Sequence, residues 1–130
     1  MPVSFFKRSR EWPVVPVSGP RGSILVTGIG YKLDNLPGAF GLLPELAESD
    51  FVATLRPMPS SEWNRTPVEV WANGFHIGYV NDGDSQKYWD AMQRTGKMLS
   101  RECIVKTRRI PVPGQGFQVG KVRLSLPATV

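Results

Sequence analysis

The sequence predicts a single β-rich domain, a small OB- or SH3-like β-barrel of about six strands with one full helix and one short, distorted helix. Three observations carry that expectation. Apolar and polar residues alternate with period two over several short runs, the signature of half-buried strands. Thirteen Gly and twelve Pro in 130 residues exceed ordinary usage and suit many tight turns. Only the stretch after Asn81 keeps three- and four-residue apolar spacing up to a stop signal at Gly96.

Residues 1–22 have no clean period, hold Pro2, Pro13, Pro16 and Pro20, and read as an extended, basic, proline-rich arm preceding a barrel over 23–130. Phe5, Phe6 and Trp12 would pin the arm to the barrel or to a partner, since a disordered tail rarely carries three aromatics so close together. The plainer alternative is a loose basic leader. Ile24 and Val26, running through Gly28 and Gly30 to Tyr31, form the first strand. Between Asp34 and Leu46 the apolar residues Leu36, Phe40, Leu43 and Leu46 have helical spacing, broken by Pro37, Gly38, Gly41 and Pro44: the short helix. Phe51, Ala53 and Leu55 alternate with Val52, Thr54 and Arg56 in a second strand.

The run from Pro57 to Arg65 contains two prolines, Pro57 and Pro59, and five consecutive polar or aromatic positions from Ser61 to Arg65, and so forms a loop. Val68, Val70 and Ala72, then Asn73-Gly74, then Phe75, Ile77 and Tyr79 give a β-hairpin around a turn that tolerates positive φ. Asn81 to Ser85 offers helix caps, and Tyr88, Trp89, Met92 and Thr95 mark a helix whose apolar face packs under the barrel. Leu99 to Val112 and Gln118 to Leu126 then pair as a final hairpin about Pro113-Gly114-Gln115-Gly116, with Lys106, Arg108, Lys121 and Arg123 side by side on its outer face.

The net charge is +5, unevenly spread: +3 over residues 1–22, −5 over 23–93 and +7 over 94–130. A surface that attracts phosphate must therefore come mainly from the two ends. No apolar run approaches bilayer length and no secretory signal opens the chain, so a cytoplasmic protein with no membrane association is expected. The single cysteine, Cys103, excludes an internal disulfide and sits where a small core residue belongs. His76 is the only histidine, placed on a hairpin and read as a surface residue. Acidic residues lie scattered through turns and helix ends, and no phosphate loop occurs. No catalytic residue, metal site or cofactor is expected.

One segment is similar to a known family. A strand ending Val26-Thr27-Gly28-Ile29-Gly30-Tyr31, a loop of the form Pro-x-x-x-aromatic-Asx-basic, a Val-x-Val strand, a turn and then Ile77-Gly78-Tyr79-Val80 resemble the HIRAN domain, a DNA-end-binding module of helicase-like remodellers; the likeness covers roughly residues 23–89. The resemblance implies a non-enzymatic module that captures single-stranded DNA. It implies stacking of terminal bases on Tyr31 and Trp63, with Asn64 reaching the 3′-hydroxyl. Ser61, Tyr79 and Arg65 are further candidates for backbone or phosphate contact, and Arg108 and Lys121 for a basic track. The chain departs from the family pattern at Asn64, where an aspartate is usual, at Gly30, where a cation precedes the tyrosine, and at Pro67.

The same residues also fit plainer roles. Tyr31 and Trp63 would equally cover the mouth of the barrel, as aromatics in small β-domains do. The basic pairs on the last strands would equally protect a sheet edge from aggregation. A different function on the same barrel is a protein-interaction or assembly module, such as a phage or bacterial accessory structural protein, docking or self-associating through Phe5, Phe6 and Trp12.

Overall fold

The computed structural model describes residues 12–28, 35, 38–39, 48–106, 110–112, 116–118 and 122–127, with backbone alone at 48–49, 105–106, 110–112 and 116–118. Nine strands and one long helix fall in this set: β1 (Val14–Pro16), β2 (Ile24–Thr27), β3 (Glu48–Pro57), β4 (Val68–Ala72), β5 (Phe75–Val80), α1 (Asp82–Thr95), β6 (Met98–Lys106), β7 (Ile110–Val112), β8 (Gly116–Gln118) and β9 (Arg123–Leu124). Seven strands make one curled sheet in the order β1-β6-β3-β4-β5-β2-β9, a half-barrel with α1 packed against it; β7 and β8 pair separately. The β-rich small barrel expected from the sequence is the observed architecture. The short helix expected between Asp34 and Leu46 falls mostly outside the described residues.

The interior follows from alternation. Phe51, Ala53, Leu55 and Pro57 on β3 and Val68, Val70 and Ala72 on β4 point to one side and are buried with Ile24, Val26, Ile77, Val80, Cys103 and Leu124. The β4–β5 turn adopts positive φ at both Asn73 (49°) and Gly74 (88°), which the right-handed twist of a two-residue hairpin requires. Asn73 also closes the neighbouring strand: its N–H donates to the Val52 carbonyl and its Oδ1 accepts from the Val52 N–H, each at 3.0 Å.

Helix α1 begins and ends on the expected signals. The Asn81 side chain accepts from the Asp84 N–H, and Gly96 takes the left-handed conformation that ends the helix (φ 66°). Ser85, Tyr88, Ala91 and Met92 form its buried face. The Tyr88 hydroxyl, deep in the core, donates to the Pro127 carbonyl, and burial, followed by the Asp84 carboxylate, pushes that phenol up to about 12.

Two expectations about the sheet need correction. Within the segment read as an arm, Val14–Pro16 pairs parallel to β6, and Trp12 packs against the core. The Pro13 carbonyl and the Val17 N–H bond to β6, so the backbone of Val14 and Pro16 turns to the open side, where Pro16 has no N–H to offer a further strand. The second correction concerns the final hairpin. Only Ile110–Val112 and Gly116–Gln118 pair around the expected turn, whereas β6 runs along β3 as far as Glu48↔Lys106 and β9 pairs with β2, Leu25↔Arg123. Lys106 and Arg123 thus lie on strands that do not pair with each other, and Arg108 and Lys121 lie outside the described residues. The cause is apolar burial: Val122, Leu124 and Leu126 are at most 1% exposed, and pairing beside Ile24 and Val26 puts all three into the core.

Candidate nucleic-acid interface

Residues 58–66 leave β3 at Pro57 and return at Pro67, and their backbone is pinned at both levels. At the base, the Met58 N–H donates to the Pro67 carbonyl at 2.9 Å, while the Trp89 indole N–H of α1 holds the Met58 carbonyl at 3.0 Å. The hydroxyls of Thr66 and buried Ser85 meet at 3.1 Å, a second tie to the helix. At the tip, the Ser61 N–H donates to the Asn64 carbonyl at 2.8 Å and the Ser61 hydroxyl accepts from the Asn64 N–H at 3.1 Å. Asn64 Oδ1 in turn accepts from the Thr66 N–H at 3.1 Å, an Asx turn.

These bonds define what the loop can offer. The Ser61 hydroxyl and Asn64 Oδ1 both hold the loop's own shape, so Asn64 presents its amide NH2 as a donor to a ligand rather than its oxygen. Arg65 is exposed. Trp63 is 90% exposed, whereas the other exposed large apolar side chains among the described residues, Val14, Val52, Phe75 and Ile104, keep more than half their surface covered. Trp63 therefore does not cap the barrel; it stands out from an ordered loop.

Tyr79 belongs to a different environment. The outer face of the sheet carries a row in register across four strands, Arg56, Glu69, Tyr79 and Thr27, next to the base of the loop. A bulge between Val70 and Trp71 sets Trp71 opposite His76, and their rings stack at 5.3 Å with 16° between planes. Tyr79 meets His76 edge-on at 5.1 Å, and the Arg56 guanidinium lies 5.7 Å over the Trp71 ring. Glu69 is the hub. Its Oε1 accepts from the Trp71 indole N–H at 3.1 Å and faces Arg56 Nη1 at 3.8 Å, while Oε2 faces His76 Nδ1 at 3.8 Å.

His76 is thus not the surface residue that its strand position suggested. Its Nε2 sits 3.0 Å from the Gly78 carbonyl, which only accepts, so Nε2 carries the proton; its own carbonyl accepts from Asn35 Nδ2 at 2.8 Å. Burial, then the Glu69 carboxylate, raises the Tyr79 pKa, and the phenol stays protonated at neutral pH. Tyr79 also touches the start of the next segment: at Gly28 (φ 78°) a Cβ would lie 3.3 Å from the Tyr79 ring.

The structure accordingly brings Ser61, Trp63, Asn64 and Arg65 together on one loop and puts Tyr79 in the sheet cluster beside the loop's base. Tyr31, Arg108 and Lys121 lie outside the described residues. Sequence reasoning missed the Arg56–Glu69–Trp71–His76 group. Its signal was present: on β4 the outward positions hold Glu69 and Trp71 where a solvated strand would carry Lys or Thr, the mark of a face that is itself covered. Among the described residues, no group of three or more His, Cys, Asp or Glu side chains is placed to hold a metal ion, and no helix is long and apolar enough to cross a membrane. No family model matches the chain, and no curated protein or solved structure matches it either. The likeness to HIRAN domains therefore rests on the short motifs alone.

Proposed function

We propose that this chain is a non-enzymatic module that captures single-stranded DNA, and its 3′ end in particular, by stacking a base on Trp63 and donating a hydrogen bond from Asn64. The observation that carries the reading is the 90% exposure of Trp63 on a loop fixed by backbone and side-chain hydrogen bonds. An indole left in water gains nothing from the hydrophobic effect, and a braced loop has already lost the entropy that ligand binding would otherwise cost. A flat ring presented in this way accepts any base, with on the order of 1–3 kcal/mol per stacked base. The HIRAN likeness supports the same ligand class and adds Tyr31 as a second stacking group. Of the three aromatics on which the alternative, docking through the arm, would rest, Phe5 and Phe6 lie outside the described residues and Trp12 packs on its own core.

Fluorescence anisotropy tests the reading with matched oligonucleotides ending in a 3′-hydroxyl or a 3′-phosphate. The hydroxyl end binds more tightly, and Trp63→Ala weakens binding roughly 5- to 150-fold, the equivalent of one lost stack. Equal affinity for the two ends removes end recognition. Unchanged affinity in Trp63→Ala removes the site.

A further inference from the structure

The segment 19–23 between β1 and β2 carries a second feature. Three arginines converge on it from three places in the sequence. Arg101, on β6, donates from Nη2 to the Gly19 carbonyl at 2.8 Å; Arg21 donates from Nη1 to the Glu102 carbonyl of β6 at 3.1 Å; and Arg123, on β9, reaches the Ser23 hydroxyl from Nη1 at 3.4 Å. Their attachment points fall at every second residue, so at most roughly 14 Å of chain separates the first from the last. Across the same seam the Ser125 N–H lies 3.3 Å from Cys103 Sγ. Burial raises the Cys103 pKa, and after hydrogen bonding to Ser125 the charges of Arg21 and Arg101 oppose that rise.

Among the described residues, each of these arginines bonds to a neutral acceptor. Among the described residues, the salt bridges join Arg56, His76 and Lys87 to carboxylates, and none involves Arg21, Arg101 or Arg123, although Glu102 is next in sequence to Arg101. Nη1 of Arg101 is buried without any hydrogen-bond partner. Arg21 and Arg123 are exposed. Three like charges with no carboxylate paired to them among the described residues repel one another, and an anion held by the exposed Arg21 and Arg123 would relieve that repulsion. Guanidinium groups match phosphate in planarity and donor geometry.

We infer that Arg21, Arg101 and Arg123 form a phosphate track for the backbone of the single strand whose base stacks on Trp63. The inference rests on the proposed function and, of the four basic side chains expected on the last strands, keeps only Arg123, adding Arg21 and Arg101 from elsewhere in the chain. Phosphate contacts of this kind are independent of base sequence and appear as salt dependence, with a slope of about 0.7 per phosphate in log K against log salt for single strands.

The test is the anisotropy of a fluorescent oligo-dT across a KCl series, using the full chain. In Arg21→Gln/Arg123→Gln the slope falls by about 1.4 and affinity drops equally for oligo-dT and oligo-dA. Arg21→Lys/Arg123→Lys, which keeps both charges, retains the wild-type slope, and circular dichroism melting confirms that each variant is folded. Trp63→Ala lowers affinity with the slope unchanged. A wild-type slope in the Gln pair overturns the track while leaving the Trp63 reading intact, and loss of slope in the Lys pair overturns it in favour of a purely structural clasp. Absence of oligonucleotide binding by the wild type at low salt removes the proposed function and the track with it.

Discussion

The loop at 58–66 and the outer face of β4–β5 are adjacent, and both combine tryptophan, arginine and acidic side chains, yet they use them in opposite ways. On the sheet, Trp71 has its ring and its N–H engaged internally: Arg56 over the ring, His76 stacked, Glu69 on the N–H. On the loop, the hydrogen bonds that fix the backbone involve Ser61, Asn64 and Thr66 and none involves the Trp63 side chain. What separates a scaffold from an interface here is therefore where the polar partners are invested, around the ring or beneath it, and not which residues are present.

The largest expected effect tests the closed region. Glu69→Ala removes the shared acceptor and leaves Arg56 and the Trp71 N–H unpaired under cover; urea unfolding should show a loss of about 3 kcal/mol, with a smaller loss in Glu69→Gln. A loss under about 1 kcal/mol would mean that the cluster is not the scaffold it looks like. Next comes the helix that braces the loop. Tyr88 has a folded pKa of about 12 against 10.0 for the free side chain, so the native state holds its proton more tightly. The stabilisation is complete below pH 10 and is lost as pH rises toward 12, about 2–3 kcal/mol in all. Tyr88→Phe flattens this alkaline fall, at the cost of the hydrogen bond to Pro127. Unfolding free energies measured across that range decide it.

Matched tryptophan substitutions compare the two regions directly. Trp71→Ala should lower stability by about 2 kcal/mol, since the ring is half covered and three neighbours lose contact. Trp63→Ala should change stability by less than about 0.5 kcal/mol, the ordinary cost of an exposed substitution. If the two variants melt alike, Trp63 has packing contacts and the contrast between the regions fails.

Much of this organisation was legible in the residue pattern, for physical reasons that also mark its limit. Asn73-Gly74 announces a positive-φ turn, and Asn81 and Gly96 announce helix caps, because those effects act within a few residues. The strand expected over Gln118 to Leu126 holds β9, but alternation does not say which strand lies alongside. β9 chose β2, nearly the whole chain away, over the far nearer β6. Likewise, β1 is only three residues long and ends in a proline, too short to stand as a strand alone, so its place in the sheet comes from β6. At the site, the loop could be read as a loop from Pro57 and Pro59, and Trp63 as a candidate. Which of its neighbours were already engaged could not be read, because the ties to Trp89 and Ser85 are set by the docking of the helix.

The pairing of β2 with β9 has a kinetic meaning. The contact of Ile24 with Leu124 closes a loop of about one hundred residues, and until it forms one flank of β2 stays open. Sheets completed by so distant a contact fold slowly, on the millisecond-to-second scale, and until the last strand arrives, the exposed edge of Ile24–Thr27 is where a nascent or stressed molecule would pair with the wrong neighbour.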